Sequence, residues 1–316
     1  MPRNRRIGGV IPAVLLPRDS SGLPLWDRFD ANLSFLLERG VSGVCVNGAT
    51  GEYASATSAE RREAARRARQ QAGNDFVVVG ATGSADWRQG LRHAEDAAAE
   101  GAGILLVPVP HFFPYQQEDV AEFYRQTAAA TGLPILIYNL PQFAGGVDTD
   151  VAVDLICNER CIAGIKDSSG SLEILQALTD RPEVDSIRLL GNDAVLGEAL
   201  AGGLCQGVIS GVACVLPELI TALFGCVPSE SPGLFQTLQS RLQEFIQQLN
   251  VFPVPWGLKV VAECRGLAPA TFSMPLTPRR RGEIVAFQTW FDAWRPRVLE
   301  ESGQALAAGS HQGNSG

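Results

Sequence analysis

Residues 161–170 read C-I-A-G-I-K-D-S-S-G. The apolar run from Ile162 to Ile165 ends on Lys166, and polar and glycine residues follow at once. That is the pattern of a buried strand running into a loop. The run carries no polar alternation, so both faces of the strand are covered, as in a parallel sheet flanked by helices. Lys166 then stands at the strand's C-terminal edge. The chain has 26 basic residues, and only Lys166 and Lys259 are lysines. Arginine keeps its charge at any working pH, whereas a desolvated lysine can release its proton. A neutral amine can attack a carbonyl and form a Schiff base. A strand-end lysine that simply reaches for solvent explains the same ten residues, so the choice rests on the rest of the chain.

The unit repeats on both sides of this stretch. Short, nearly continuous apolar runs occupy 8–16, 43–46, 76–80, 103–107, 134–138, 162–166, 187–190 and 207–209. Between and after them lie helical patterns at 26–40, 58–71, 87–100, 118–131, 150–157, 172–179, 194–201 and 217–226. The first of these carries Trp26, Phe29, Leu33, Leu36 and Leu37 at helical spacing and closes on Gly40. The second is expected to start at an N-cap, Ser58, and to show Arg61, Arg62, Arg66, Arg67 and Arg69 on a solvated face. Eight such units predict an α/β fold, a (β/α)8 TIM barrel. An open doubly wound sheet is the rival, but no G-x-G-x-x-G follows the first strand. Helical patterns at 234–249, 257–265 and 280–294 follow the barrel. The expected organisation is a barrel over 1–228, a C-terminal helical appendage over 229–300 and a disordered tail over 301–316, where small and polar residues gather.

Composition narrows the function. At 316 residues with 46% hydrophobic and 19% charged residues, the chain can bury a sizeable core. A net charge of −8 leaves no nucleic-acid footprint. No apolar run reaches membrane-spanning length. Residues 7–16 are broken by glycines and a proline and lack a cleavage pattern, so no signal peptide is read and a cytoplasmic location is expected. The seven cysteines are odd in number and lie mostly in apolar stretches, as reduced buried thiols do. Cys157 and Cys161 have no matching second pair, and the three histidines form no ligand motif, so no metal is expected.

In a barrel of this kind the chemistry gathers where the strands end. The second strand runs into Gly48-Ala49-Thr50-Gly51-Glu52, whose N–H groups and hydroxyl suit an anion such as a carboxylate; an ordinary turn reads the same. The fourth ends in Pro108-Val109-Pro110-His111-Phe112-Phe113-Pro114. The fifth ends on Tyr138, a proton-transfer group or a core tyrosine. The sixth ends on Lys166, the seventh in Gly191-Asn192-Asp193, and the eighth in Ile209-Ser210-Gly211. A lysine, a tyrosine and a Gly-Thr-Gly loop converging on one mouth make a Schiff-base site for a 2-oxo acid. The protonated imine is an electron sink for bond cleavage or formation at the neighbouring carbon.

Residues 48–52, the stretch Tyr138-Asn139-Leu140-Pro141 and the stretch Gly164-Ile165-Lys166-Asp167 resemble three signatures of the dihydrodipicolinate synthase / N-acetylneuraminate lyase family. Residues 207–211 with Pro217-Glu218 are similar to its eighth-strand signature, and the likeness runs in register over about 7–300. The resemblance implies a (β/α)8 barrel with three C-terminal helices, assembled as a homotetramer, a dimer of dimers. It implies a small-molecule 2-oxo acid substrate, pyruvate or a pyruvoyl-ended acid, bound as an imine to Lys166 without other cofactor. Tyr138 would move the proton, and Thr50 with the N–H groups of Ala49 and Thr50 would hold the carboxylate.

Three positions depart from the family pattern. Ala49 stands where a second hydroxyl is common. Phe112 stands where many members carry a tyrosine that reaches across a subunit interface. Two parts of the expected proton relay are thus changed together, and His111 is the possible substitute or a packing residue. Phe143 stands where dihydrodipicolinate synthases carry an arginine for a second carboxylate, which points away from that reaction. Ser168, Asn192 and Asp193 are candidates for hydroxyls on a sugar-acid tail, with Gly191 and Ile209 beside them. Phe112, Phe113 and Phe143 would suit an apolar tail instead. The expected function is a Schiff-base lyase or aldolase on a 2-oxo acid. The alternatives are a hydratase-aldolase or dehydratase of the same family, and a keto-acid-binding member that has lost turnover.

Overall fold

The computed structural model describes residues 7–73 and 76–312. Eight strands, β1 (Gly9–Pro12), β2 (Gly43–Val46), β3 (Val77–Ala81), β4 (Ile104–Pro108), β5 (Ile135–Asn139), β6 (Ile162–Asp167), β7 (Ile187–Leu190) and β8 (Gly207–Ser210), form one all-parallel sheet. Its order, β1-β8-β7-β6-β5-β4-β3-β2, brings the two end strands together. There Ala13 bridges Cys45, and the Val14 N–H donates to the Cys45 carbonyl at 2.9 Å. The sheet is therefore a nearly closed barrel.

Between the strands run α1 (Trp26–Leu37), α2 (Ser58–Ala72), α3 (Trp87–Ala99), α4 (Gln117–Ala130), α5 (Thr149–Asn158), α6 (Glu173–Thr179) and α7 (Leu196–Ala201), and α8 (Pro217–Gly225) follows β8. Alternate strand residues face the helices and the barrel axis, as the period of two requires. Val44, Val78, Leu105, Ile165 and Val208 pack toward the helices, while Ile11, Val79, Leu136, Leu189 and Ile209 fill the interior. Ile165 faces outward, so Lys166, the next residue, faces the axis.

Two expectations about α2 are corrected. Its N-cap is Thr57, one residue earlier than Ser58. The Thr57 hydroxyl accepts from the Glu60 N–H at 3.2 Å, and the Glu60 carboxylate accepts from the Thr57 N–H at 2.8 Å, which completes a capping box. Arg61 is buried rather than solvated. It donates to the Ala81 and Gly83 carbonyls at 2.9 and 2.8 Å, where β3 ends and those carbonyls have no further strand to meet. The thiols are also less uniformly buried than expected: Cys45 and Cys214 are buried, but Cys157 and Cys161 are exposed because they flank the turn between α5 and β6.

Beyond the barrel come α9 (Pro232–Leu249), α10 (Trp256–Cys264) and α11 (Pro278–Gln312). Phe245 stacks on Trp294 at 5.6 Å and lies 6.1 Å from Phe291, and these rings continue the core that lies under the barrel helices. The expectation of a disordered tail is corrected over most of its length. Residues 301–312 extend α11, because Ser302 and Ala305 are small enough to bury against its neighbours and Arg241 donates twice to Glu301, at 2.7 and 3.2 Å. Residues 313–316 of that expected tail lie outside the described residues.

Candidate active site

Register places the two candidate catalytic groups side by side: Tyr138 on β5 pairs with Lys166 on β6. Both side chains are buried, and the Lys166 ammonium donates to the Tyr138 hydroxyl at 3.1 Å. Lys166 has room because of Gly191 at the end of β7. A Cβ there would stand 2.6 Å from Lys166 Cε and 2.1 Å from Ser168 Oγ. Asn139 steadies both strand ends. Its amide donates to Asp167 at 3.0 Å and accepts from the Val147 N–H at 3.2 Å.

These groups form the floor of a cavity of about 360 Å³ at the C-terminal mouth of the barrel, a size suited to a small metabolite. Ala49, Thr50, Phe143, Ser168, Gly191, Asn192, Asp193 and Ile209, the sequence-predicted binding residues, all line it together with Lys166 and Tyr138. Thr50 is buried, and its hydroxyl lies 3.5 Å from where a Cβ on Gly211 would stand, opposite Asp193. Asp193 accepts from the Val212 N–H at 3.1 Å through one oxygen, while its other oxygen is buried without a protein partner. Burial pushes its carboxyl above the ordinary range, against the pull of Ser210 and Val212. The Ser168 hydroxyl is likewise buried and unpartnered. Two oxygens at this mouth therefore have hydrogen-bonding capacity that the protein leaves unused.

Some predicted residues are not brought to this cavity. Phe112 is 85% exposed and Phe113 58%, and neither lines it. Phe112 sits at φ 89°, a left-handed backbone that turns the loop outward. Among the three phenylalanines only Phe143 is at the cavity, on its rim. His111 is half-buried outside the cavity and meets Tyr53, whose hydroxyl is 3.4 Å from its Nδ1. Burial lowers His111 below the usual imidazole range.

Other parts of the site had no reading in the sequence. Gln142 lines the cavity and donates to the Ser168 and Ser169 carbonyls at 3.0 and 3.1 Å. The appendage supplies a whole wall, with Asn250, Phe252, Pro255 and Leu258 facing the barrel mouth. Lys259, the chain's second lysine, pairs with Glu52 of the G-A-T-G-E stretch and donates to the Thr271 carbonyl at 2.8 Å. Both partners of that ion pair are largely buried. Its rarity among so many arginines was the available signal, and it marked a structural contact.

An axis-facing amine, a phenol in hydrogen-bond reach and a hydroxyl opposite them fit carbonyl chemistry. The model of the Dihydrodipicolinate synthetase family matches residues 6–289. The chain belongs to the dihydrodipicolinate synthetase family. It is thus a lyase of that family. An uncharacterized DapA-like lyase of Halobacterium salinarum is 29% identical over 85% of this chain and 88% of its own length. The 4-hydroxy-tetrahydrodipicolinate synthase of Methanopyrus kandleri is 30% identical over 87% of this chain and 92% of its own. In fold, the dihydrodipicolinate synthase of Acinetobacter baumannii, solved with pyruvate, superposes with a TM-score of 0.83 at 23% identity, covering 94% of this chain and 99% of that one. The Ruminococcus gnavus sialic acid aldolase gives 0.82 at 20% identity, covering 93% and 100%. No helix among the described residues is long and apolar enough to cross a membrane.

Proposed function

We propose that the chain is a class I lyase that cleaves, or in reverse condenses, a 2-oxo acid through an imine on Lys166. The observation that carries this reading is the buried pair of Lys166 and Tyr138 at 3.1 Å on the cavity floor. The deprotonated amine adds to the substrate's C2 carbonyl, and the resulting hydroxyl leaves as water with a proton from Tyr138. Tyr138 then takes the proton of a hydroxyl on C4. The C3–C4 bond breaks, its electron pair moves into the imine to give an enamine, and C4 departs as a carbonyl. Protonation at C3 and hydrolysis return the lysine and release pyruvate. Thr50 would hold the carboxylate, and the imine itself is the electron sink, so no further cofactor takes part.

The unpartnered oxygens of Asp193 and Ser168 support a substrate tail that bears hydroxyl groups. An apolar tail would meet Phe143 at the rim and the wall of Phe252, Pro255 and Leu258, but would leave those two oxygens without partners. Among the lining residues Lys166 is the one cation, and Phe143 offers no charge to a second carboxylate. The reading therefore excludes efficient condensation of pyruvate with aspartate semialdehyde. It includes a homotetramer, supported by the apolar surface of Phe112 and Phe113, and a reducing, cytoplasmic setting, supported by seven unpaired cysteines.

Borohydride reduction in the presence of pyruvate should add the mass of a reduced adduct to the peptide containing Lys166, and a panel of hydroxylated 2-oxo acids should release pyruvate. Labelling that persists unchanged in Lys166→Ala, or rapid turnover with aspartate semialdehyde in place of the panel, would overturn the reading.

A further inference from the structure

Tyr138 needs somewhere to send its proton. Ala49 offers no hydroxyl beside it, and Phe112 points away from the site. Tyr53, which opens the short 3-10 turn Tyr53–Ser55 directly after the G-A-T-G-E stretch, has no role assigned so far. Its side chain is buried against the ends of β3 and β4. A Cβ on Gly83 would stand 2.6 Å from the Tyr53 ring and 3.1 Å from Pro108, so ring and proline meet over that glycine. Pro108 is in turn the register partner of Tyr138. The Tyr53 ring thus packs beside the residue that pairs with Tyr138, and the Tyr138 phenol is close enough to act on it electrostatically. The outer end of Tyr53 meets His111, with Oη to Nδ1 at 3.4 Å and the rings edge to face at 5.7 Å. The guanidinium of buried Arg61 lies 5.7 Å from the centre of the same ring.

We propose that Tyr53 and His111 form a proton path within a single chain that connects Tyr138 to solvent. The proposal rests on the imine reading above, since it is that chemistry that loads and unloads Tyr138. When Tyr138 has given its proton to C3 of the enamine, the Tyr53 hydroxyl reprotonates it, directly or across one water molecule. His111 passes its Nδ1 proton to Tyr53 and takes a proton from solvent at Nε2. The imidazole begins and ends neutral, having exchanged one tautomer for the other, and one proton has moved from solvent to Tyr138. The reverse sequence carries to solvent a proton that Tyr138 takes from the methyl group of imine-bound pyruvate.

The electrostatics are those a relay needs. Burial and the nearby Tyr138 phenol raise Tyr53, so it rests protonated and ready to donate, while Arg61 acts in the opposite sense and steadies a transient phenolate. Burial holds His111 below its usual range, so near pH 7 it is neutral and carries one donor and one acceptor. Half-buried, it stands at the boundary with solvent.

The test uses Tyr53→Phe, which keeps the ring on Gly83 and removes only the hydroxyl, and His111→Ala. Both are followed by borohydride trapping of pyruvate, by exchange of the pyruvate methyl protons with deuterated solvent, and by turnover of the substrate found in the panel. Tyr53→Phe is expected to trap pyruvate at Lys166 yet to exchange and turn over about 10- to 100-fold more slowly. His111→Ala is expected to show a similar loss that added imidazole partly restores, a rescue that a packing role does not produce. If Tyr53→Phe exchanges and turns over at the wild-type rate, or if imidazole leaves His111→Ala unchanged, the relay is wrong while the imine stands. If the wild-type protein does not trap pyruvate at all, the imine reading falls and the relay falls with it.

Discussion

Gly191→Ala probes the site through space alone. Gly191 is not in the left-handed region, so alanine adds a methyl group without straining the backbone. That methyl carbon would stand 2.6 Å from Lys166 Cε, 3.1 Å from its Cγ and 2.1 Å from Ser168 Oγ. Carbon atoms rest about 3.5–4.0 Å apart, so the end of Lys166 must retreat by roughly 1 Å. The retreat breaks the 3.1 Å bond to Tyr138 and misaligns the amine with an incoming carbonyl. A misplacement of that size costs about 100-fold in rate. Overpacking costs about 1–3 kcal/mol of stability, small enough for a domain with about 5–15 kcal/mol to stay folded. The assay is the rate of borohydride trapping with pyruvate, read beside a urea melt. A Gly191→Ala protein that melts near the wild-type midpoint and traps pyruvate at the wild-type rate would refute the argument that Gly191 is small for the lysine's sake.

Tyr138→Phe should lower kcat by about 10²–10⁴-fold while leaving the Lys166 adduct detectable by mass, because the amine remains. Lys259→Met should destabilise the fold by about 3–5 kcal/mol, since it strands Glu52 in a largely buried position; Glu52→Gln added to it should recover a good part of the loss, and denaturant melts of both variants decide. His93 is buried, and burial followed by the charge of Arg61 pushes its imidazole down to about 4. Its unfolded form binds a proton near pH 6.5. Stability is therefore full above pH 6.5 and falls as pH drops toward 4, by up to roughly 3 kcal/mol. Melts at pH 7 and pH 4.5 should differ less in His93→Gln than in the wild type; an equal difference would count against the buried neutral histidine.

The barrel was legible because each unit was written twice, as a fully apolar strand and as a helix with its own stripe. The cavity floor was legible because strand ends converge in this architecture, so Tyr138 and Lys166 could be placed on one mouth without knowing their distance. Contacts that join distant segments were not legible. Arg61 sits among surface arginines on α2 and differs from them only in meeting the carbonyls of Ala81 and Gly83. Tyr53 adjoins a recognised motif, but its value depends on Gly83, Pro108 and His111, which lie at least 30 residues further along the chain, beyond the reach of any local pattern. Lys259 shows the same limit from the other side. Scarcity of lysine singled it out together with Lys166, and both are buried, but scarcity alone does not tell an ion-paired amine from one that faces the cavity.

The wall contributed by α9 and α10 also sets an order of events during synthesis. The strands that carry Tyr138 and Lys166 leave the ribosome well before Phe252, Leu258 and Lys259 do. Until those residues arrive, the mouth lacks one side and the Glu52 carboxylate has no lysine to meet. A nascent barrel can hold its axis-facing amine and still lack an enclosed place for a ligand beside it. The enclosed mouth thus arrives with the last fifth of the chain, after every strand of the barrel has been made.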